Sequence, residues 1–314
     1  MFMDRILSVI SRYYDQGNVK FNIVRIFGKN CLYIFKGYKV QSFFAEAFEQ
    51  YFKSNNIELK IRNLKQNLDK ISCDYIDDFM RLSKIWGNYT SMNYWSDYDT
   101  NLLKKYETMA FKQPVPEIAA FNKFTFLNKY GLFDLPQAVL DTVNGKDIID
   151  AGGCNGDTAL IFKDLFPDSA IYVYEPLSVY CDIVKKVADK INSYGEGGAI
   201  SPIHKGLGAR QERIDISFNC AVENCEITTI DADYKGNNLG LIKMDTEGFE
   251  SQIVAGASEL IRQYKPVLVI AIYHTPEDFF EMKDKISKLN PEYKFMIRRS
   301  EFAIPTADLV LIAY

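Results

Sequence analysis

The chain has 314 residues, of which 25% are charged and 47% hydrophobic, and its formal net charge is −4. This balance is typical of a globular protein and excludes a disordered one. The slight acidity argues against a nucleic-acid surface, which needs clustered Lys and Arg to displace counterions from phosphate. The six cysteines form no C-x-x-C pair and the two histidines, His204 and His274, stand far apart, so a zinc site of clustered His and Cys is not expected.

The sequence also gives an expectation about compartment and membranes. Residues 1–10 carry Asp4 and Arg5 and lack the apolar stretch of a signal peptide. The longest apolar runs, at residues 266–273 and 309–314, are too short to span a bilayer. We therefore expect no membrane span and a reduced, cytoplasmic protein with free thiols.

Residues 1–112 are predicted to form a mainly α-helical N-terminal region. An apolar face at helical spacing predicts a helix over residues 4–13. Two strands are predicted next, at residues 21–26 and 31–35, around a Gly-Lys-Asn turn. The further predicted helices lie at residues 41–54, 57–72, 74–86 and 98–111. This region contains no motif with a chemical function, so we expect it to serve acceptor selection or assembly.

Residues 113–314 show short apolar strands that alternate with helices, which predicts a doubly wound, mostly parallel α/β domain. The predicted strands are residues 147–151, 170–174, 203–207, 212–218, 226–230, 239–244, 267–273, 293–298 and 308–313. The predicted helices are residues 158–165, 179–191, 250–264 and 276–289. The run at residues 267–273 is almost continuously apolar, as expected of a strand buried on both faces.

The strongest local signal is the turn after the first of these strands. That strand ends at Asp150, and Gly152, Gly153 and Gly156 then permit a tight turn and close approach of a ligand to the backbone before a helix begins. The next strand ends at Glu175, 25 residues after Asp150, where an acid can accept both ribose hydroxyls of a nucleoside. A helix cap alone would explain the glycines but not Glu175, so the sequence predicts a nucleoside cofactor here.

Two cofactors compete for this turn. A dinucleotide is bound by G-x-G-x-x-G, whose glycines admit a pyrophosphate to the helix N-terminus. Here the pattern is Gly-Gly-x-x-Gly, flanked by Asp150 and Asp157. These carboxylates would repel a pyrophosphate but suit the amine and sulfonium of S-adenosylmethionine. A methyltransferase is therefore the preferred interpretation, and an NAD or nucleotide-sugar enzyme is the alternative.

A second signal is the acidic segment that follows residues 239–244. Asp245 stands at the end of this buried strand, on the edge of the sheet where ligands bind, so we favour a role in the site for it. Glu247 and Glu250 follow within the next turn, where a helix dipole also favours acids. For Glu250 this structural role is the preferred interpretation.

A third signal is His274, which follows the strand at residues 267–273. A lone histidine is usually structural, but one at the ligand edge of such a sheet is a candidate base. The sequence leaves these two roles of His274 equally open. For His204, early in a predicted strand beside Pro202, the structural role is preferred.

Together these signals resemble the FkbM family of S-adenosylmethionine-dependent methyltransferases. The resemblance is carried by residues 149–158, 173–176, 228–231 (TTID) and 242–256 (IKMDTEGFESQIVAG), the last being the most specific. Residues 270–279 and 293–295 are similar to a subset of the family found in surface-polysaccharide gene clusters. The resemblance covers residues 128–314, and Gly153-Cys154 departs from the Ala-Asn that the family often has.

The resemblance implies a class I methyltransferase fold with a seven-stranded Rossmann-like sheet. It also implies O-methylation of a hydroxyl on a sugar, a glycan or a related small molecule, with S-adenosylmethionine as cofactor. The expected cofactor contacts are Asp150, Gly152, Gly153, Asn155, Gly156, Asp157, Thr158, Glu175 and Asp245. The expected partner is the hydroxylated acceptor and not a nucleic acid, while assembly into a homo-oligomer is left open.

Methyl transfer to a hydroxyl requires alignment with the sulfonium and removal of a proton. We assign these catalytic roles to Asp245, His274 and Glu247, with His274 or Asp245 as the base and Glu247 holding the acceptor. A Mg²⁺ ion held by Asp245 and neighbouring carboxylates is a lesser alternative, and no metal is assigned. A non-catalytic cofactor-binding or scaffold protein is the rival from another class, and the acids Asp150, Glu175 and Asp245 argue against it.

Overall fold

The structure, a computed structural model, describes residues 7–14, 19–26, 29–35, 44–84, 96–119, 121–195, 197–218, 221–302 and 307–314. The strands in these ranges are β1 (Leu7–Tyr14), β2 (Val19–Ile26), β3 (Lys29–Phe35), β4 (Asp147–Ala151), β5 (Ile171–Tyr174), β6 (Ile200–Ile203), β7 (Gly206–Leu207), β8 (Glu212–Phe218), β9 (Ala221–Thr228), β10 (Leu239–Met244), β11 (Val267–Ala271), β12 (Phe295–Arg299) and β13 (Leu309–Ala313). The helices are α1 (Ala45–Ser54), α2 (Ile57–Lys65), α3 (Lys70–Ser83), α4 (Asp97–Thr108), α5 (Lys123–Leu127), α6 (Gln137–Asp141), α7 (Asp157–Leu165), α8 (Ser178–Asn192), α9 (Ile230–Asp233), α10 (Glu250–Gly256), α11 (Ser258–Tyr264) and α12 (Pro276–Leu289), with a short 3-10 segment at Lys129–Asp134.

The N-terminal region begins with a three-stranded antiparallel sheet in the order β1-β2-β3. The helix predicted over residues 4–13 is therefore wrong where the structure describes it, because Leu7–Tyr14 is a strand. Its Val, Ile and Tyr residues favour strands, and antiparallel pairing with β2 along its whole length overrides the short helical spacing. The strands predicted at residues 21–26 and 31–35 are confirmed as β2 and β3, and helices α1 to α4 then make the region mainly helical, as expected.

The remainder of the chain is built around a seven-stranded sheet in the order β12-β13-β11-β10-β4-β5-β6. Strand β13 is antiparallel to both neighbours, whereas the strands from β11 through β6 pair in parallel. This confirms the doubly wound, mostly parallel α/β fold. In register, Asp150 of β4 lies between Lys243 of β10 and Val173 of β5, so the carboxyl ends of these strands lie side by side. Ligands of such sheets bind at that edge.

Several element boundaries differ from those predicted. The helices predicted at residues 57–72 and 74–86 are instead α2, which ends at Lys65, and α3, which begins at Lys70. The third parallel strand is Ile200–Ile203 and not residues 203–207, because Gly206–Leu207 leaves the large sheet and joins a small sheet of order β7-β9-β8. The helix predicted over residues 250–264 is divided into α10 and α11 at Ala257. The second of these helices has its own N-terminal acceptor, since the Asp231 carboxylate receives the backbone N–H groups of Glu259 and Leu260.

Helices of the N-terminal region share one hydrophobic core with the large sheet and with α12. Phe79 of α3 stacks on Phe279 of α12 with ring centroids 4.1 Å apart, and Tyr51 of α1 stacks on Phe280 at 5.4 Å. Stacked aromatic pairs of this kind contribute to stability beyond the area that they bury. The N-terminal helices are thereby fixed beside the strand ends that carry the predicted site.

No helix in the described ranges is long and apolar enough to cross a membrane. Cys73, Cys154, Cys181 and Cys225 are free thiols.

Candidate active site

The predicted cofactor turn lies between β4 and α7, at the carboxyl edge of the sheet. Gly152 has a φ of +82°, and a Cβ there would lie 1.9 Å from the carbonyl oxygen of Asp245, so only glycine fits this left-handed and crowded position. Gly153 has another reason to be glycine, because its Cβ would lie 2.2 Å from Cγ1 of Val173. Gly153 therefore lets the turn pack on β5, while Gly152 lets it lie against the end of β10.

Asp150 is fully buried beneath this turn. Its Oδ2 accepts a hydrogen bond from the Thr158 hydroxyl, and its Oδ1 lies 3.0 Å from Nζ of Lys243. Lys243 also donates to the backbone carbonyls of Ala151 and Gly152, at 3.2 and 2.6 Å. Asp150 and Thr158 are two of the expected cofactor contacts. In the structure Thr158 orients Asp150, and Asp150 pairs with Lys243, which in turn holds the backbone of the turn.

Lys243 is a residue that the sequence analysis does not identify. The available signal is a single charge inside the otherwise apolar strand LGLIKM. Burial by itself lowers the pKa of Lys243, but the nearby charges of Asp150, Asp245 and Asp157 oppose this and leave the pKa raised. The ammonium also lies 5.7 Å from the ring centroid of Tyr130. Lys243 is therefore a fixed positive charge among the acids of the site.

Glu175, the predicted ribose acceptor, follows β5 and is 5% exposed. Its Oε2 accepts the backbone N–H of Cys154 at 2.9 Å, and its Oε1 accepts that of Leu177 at 3.0 Å. Burial raises the pKa of Glu175, although these two N–H groups act against it. Next to it, Oδ1 of Asn155 accepts the backbone N–H of Asp157 at 3.2 Å. The structure therefore holds Glu175 against the cofactor turn with its carboxylate orientation fixed.

Further acids lie at the same edge. Burial raises the pKa of Asp157 to about 6, although Lys243 opposes the shift. Burial, followed by the charges of Asp308, Asp157 and Asp245, raises the pKa of Glu301 to about 9. Glu301 lies just beyond the end of β12, and Asp308 lies just before the start of β13. Neither was predicted from the sequence, where the available signal was an acid beside each strand. Mutually repelling carboxylates of this kind favour a bound cation.

The three predicted catalytic residues come together at the ends of β10 and β11. Nε2 of His274 lies 3.5 Å from Oδ1 of Asp245 and 3.7 Å from Oε2 of Glu247, while its Nδ1 lies 2.9 Å from Oε1 of Glu250. Burial lowers the pKa of His274, but the hydrogen bond to Glu250 and the charges of Asp245, Glu250 and Glu247 raise it to about 9. Glu250, to which the sequence analysis assigns a structural role, positions the imidazole and also accepts the backbone N–H of Thr246 at 2.7 Å.

Two tyrosines contact Asp245 from other elements. The buried Tyr130 donates its hydroxyl to Oδ2 of Asp245, and the Tyr273 hydroxyl lies 3.4 Å from Oδ1. Lys129, Tyr130 and Gly131 have φ values of 53°, 55° and 83°, a left-handed run that only a strongly determined environment maintains. The sequence analysis misses Tyr130 because its segment carries no recognisable motif.

The N-terminal region reaches this cluster of predicted catalytic residues. The Phe44 ring, at the start of α1, meets His274 edge-on with centroids 5.3 Å apart and Tyr273 with centroids 6.3 Å apart. His204, by contrast, lies with Nε2 3.0 Å from the carbonyl oxygen of Pro176 and 3.3 Å from Glu223. Of the two histidines, only His274 therefore belongs to the cluster around Asp245.

Residues 150–297 match the family model of the methyltransferase FkbM domain. Among solved structures, the fold is similar to that of methyltransferase FkbM from Methylobacillus flagellatus KT, with 18% identity and a TM-score of 0.59. That match covers 88% of this chain and 62% of the other, so the chain spans less than two thirds of that relative's length. No curated protein sequence matches the chain significantly.

More distant likenesses are found as well. Fibrillarin from Aeropyrum pernix, solved in complex with natively bound S-adenosyl-L-methionine, has 17% identity and a TM-score of 0.39, covering 60% of this chain and 73% of that one. An rRNA methylase from Streptococcus thermophilus has 13% identity and a TM-score of 0.37, covering 56% and 91% respectively. The match to the methyltransferase FkbM domain covers residues 150–297, and the seven-stranded sheet agrees with it. In these residues the chain is similar to the FkbM methyltransferases.

Proposed function

We propose that the chain transfers a methyl group from S-adenosylmethionine to a hydroxyl of a sugar, a glycan or a related small molecule. The observation that carries this proposal is the convergence of two groups of residues on one sheet edge. The Gly152 turn and Glu175 follow the adjacent strands β4 and β5, while Asp245 and His274 follow the adjacent strands β10 and β11. A cofactor half and an acceptor half therefore meet where β4 and β10 pair.

The cofactor half suits a cationic nucleoside. In the proposal, Glu175 accepts the ribose hydroxyls and the backbone of the turn at Gly152 lies against the ligand. The carboxylates of Asp157 and Asp245 attract the positively charged sulfonium and amine, and they would repel a pyrophosphate. Lys243 does not change this preference, because Asp150 and backbone carbonyls already engage its ammonium. An NAD or nucleotide-sugar enzyme is therefore disfavoured.

The acceptor half is formed by Asp245, Glu247 and His274. In the proposal these side chains hold the acceptor hydroxyl in line with the sulfonium. Because the pKa of His274 is raised to about 9, its imidazole is protonated at neutral pH, so the Asp245 carboxylate receives the hydroxyl proton and His274 lies beside that carboxylate. Phe44 covers His274 from the N-terminal side, which supports a role of residues 1–112 in acceptor selection. The methyltransferase domain of the proposal is then residues 113–314.

The test is methyl transfer by the full chain from labelled cofactor to a panel of sugars, glycans and cell-extract metabolites, with identification of the product. We expect a methylated hydroxyl compound. His274→Ala should lower the transfer rate by about 10²- to 10⁴-fold with S-adenosylhomocysteine affinity nearly intact. His204→Ala, a change at the histidine outside the cluster, should leave both unchanged.

Each other outcome selects a different function. Binding of NAD in place of S-adenosylhomocysteine would show a different cofactor class. Binding of S-adenosylhomocysteine without transfer to any hydroxyl, and with normal behaviour of His274→Ala in every assay, would indicate a non-catalytic binding protein.

A further inference from the structure

The imidazole of His274 presents one nitrogen that its surroundings do not satisfy. His274 is 2% exposed, and its Nε2 has no hydrogen-bond partner in the part of the chain that the structure describes. This nitrogen faces Oδ1 of Asp245 at 3.5 Å and Oε2 of Glu247 at 3.7 Å. Buried polar atoms are normally paired, so an orphan directed at two carboxylates calls for a ligand.

The contact with Glu250 occupies Nδ1 of His274 and leaves Nε2 available to a ligand. Its Oε1 lies 2.9 Å from Nδ1 of His274, and the backbone N–H of Thr246 holds the same oxygen at 2.7 Å. When Nδ1 donates its proton to Glu250, Nε2 points at Asp245 and Glu247. Nε2 presents a proton to these carboxylates or, once that proton is displaced, its lone pair. Two carboxylates directed at one buried nitrogen favour a positive charge between them, which a metal ion can supply in place of the proton.

We propose that this charge is a divalent metal ion bound by Nε2 of His274, Oδ1 of Asp245 and Oε2 of Glu247. Ligand atoms about 2.1 Å from one ion lie roughly 3.0–3.4 Å apart. Nε2 of His274 is 3.5 Å from Oδ1 of Asp245 and 3.7 Å from Oε2 of Glu247, so each of these two distances needs to shorten by only a few tenths of an ångström. The exposed Glu247 side chain must also turn toward Asp245, because the ligand atoms that lie within 4.8 Å of one another are those of Asp245, Glu250 and His274. A carboxylate that receives the other imidazole N–H, as Glu250 does, is the usual outer support of a histidine ligand.

The arrangement leaves the ion open on one side. The Glu247 side chain is 82% exposed, so the remaining coordination positions face solvent, where an acceptor hydroxyl could bind. Oδ2 of Asp245 is held by Tyr130, which leaves Oδ1 for the ion. One imidazole and two carboxylates favour a transition metal such as Mn²⁺ over Mg²⁺, which prefers oxygen ligands alone. The metal site does not depend on the proposed function, but a role of the ion toward the acceptor hydroxyl does.

The experiment measures Mn²⁺ binding to the metal-stripped full chain by water-proton relaxation and by pulsed electron paramagnetic resonance, without cofactor or acceptor. We expect one Mn²⁺ per chain with nitrogen modulation from an imidazole. Glu247→Gln is the principal variant, since its exposed side chain can change without loss of the fold. It and His274→Gln should weaken Mn²⁺ binding more than Glu250→Gln, whose outer support is worth about 10- to 100-fold.

Glu259→Gln and His204→Gln are the matched controls, because both change residues outside the cluster, and they should bind Mn²⁺ as the wild type does. Absence of stoichiometric Mn²⁺ binding, or Mn²⁺ binding that Glu247→Gln and His274→Gln leave unchanged, overturns the proposal. S-adenosylhomocysteine affinity is measured in parallel. Cofactor binding without Mn²⁺ binding rejects only the metal site, whereas Mn²⁺ binding without cofactor binding rejects only the proposed function.

Discussion

Nζ of Lys243 lies 3.0 Å from Oδ1 of Asp150, and neither side chain is more than 3% exposed. This pair ties β10 to β4 at the point where the cofactor turn begins. Lys243→Met leaves the Asp150 carboxylate buried without its counter-charge, and we expect a loss of about 3–5 kcal/mol in the free energy of unfolding. Denaturant unfolding measures it.

A matched control is Lys205→Met, which removes a partly exposed ion pair with Asp233 and should cost only about 0–1 kcal/mol. The double change Lys243→Met with Asp150→Asn should recover part of the loss, because the buried charge of Asp150 is then removed together with its partner. If Lys243→Met is no more costly than Lys205→Met, the buried pair does not stabilise the turn.

Glu175 is expected to bind the cofactor ribose. Glu175→Ala should weaken S-adenosylhomocysteine binding by about 1.5–3 kcal/mol, the value of a hydrogen bond to a charged group. Isothermal titration calorimetry measures the affinity, and a thermal melt checks that the variant folds. Glu226→Ala, at a more exposed glutamate of β9, is the control and should bind normally. Normal affinity in folded Glu175→Ala would place the ribose elsewhere.

The pKa of Asp157 gives a pH dependence of cofactor binding. Burial raises this pKa from 3.8 to about 6, against the charge of Lys243, while Asp150 and Asp245 add to the shift. A cationic ligand binds the ionised carboxylate better, so the affinity for S-adenosylmethionine should rise as the pH increases through about 6. S-adenosylhomocysteine, which lacks the sulfonium, should show a weaker dependence. Calorimetry across this pH range checks both ligands, and Asp157→Asn should flatten the difference.

The same group affects the ligand-free protein in the opposite direction. Because the folded-state pKa of Asp157 lies above its unfolded value of 3.8, its contribution to stability is fully present below that value and is lost as the pH rises toward about 6. Asp157→Asn should therefore be relatively more stable than the wild type at neutral pH. Denaturant unfolding gives the difference in free energy of unfolding between Asp157→Asn and the wild type at each pH. A difference that is the same at pH 4 and pH 7 would contradict this prediction.

Phe44 tests the role of the N-terminal region. Its ring contacts His274 and Tyr273 edge-on, so Phe44→Ala should raise the acceptor KM and leave S-adenosylhomocysteine affinity unchanged. Phe52→Ala is the matched control, since that ring on the same helix meets Phe48 and Phe280 instead. Steady-state kinetics separates the two variants. The assignment of this region to acceptor selection fails if both variants show the same kinetics.

Tyr130 is expected to position Asp245. Tyr130→Phe keeps the ring and removes the hydroxyl that donates to the carboxylate, which should slow transfer by about tenfold or more. Tyr75→Phe removes a similar buried hydroxyl that donates to Asp99 at 2.7 Å and should change stability but not the rate with saturating acceptor. A rate equal to that of the wild type in Tyr130→Phe would leave the hydroxyl with a structural role only.

The parallel sheet could be predicted from the sequence because its evidence is local. The strands at residues 147–151 and 239–244 have the predicted bounds, because short, largely apolar runs between turn residues are typical of buried parallel strands. The strand-end position of Asp245, and of His274 soon after β11, also follows from chain order, because parallel strands share one carboxyl edge. The helix predicted over residues 4–13 was wrong because so short a segment does not distinguish a helical spacing of apolar residues from that of a strand. Antiparallel pairing with β2 makes the described part of this segment a strand.

Only the tertiary structure decided which charges meet. Asp150 could be recognised as a strand-end acid, but its engagement by Lys243 depends on the register between β4 and β10, more than ninety positions apart in the chain. Tyr130 lies 115 residues from Asp245, and Phe44 reaches His274 across most of the chain. Side-chain type and local spacing contain no information on such distant pairings. They arise when packing of the shared core fixes the backbone, and only then do burial and neighbouring charge set the chemistry of each group.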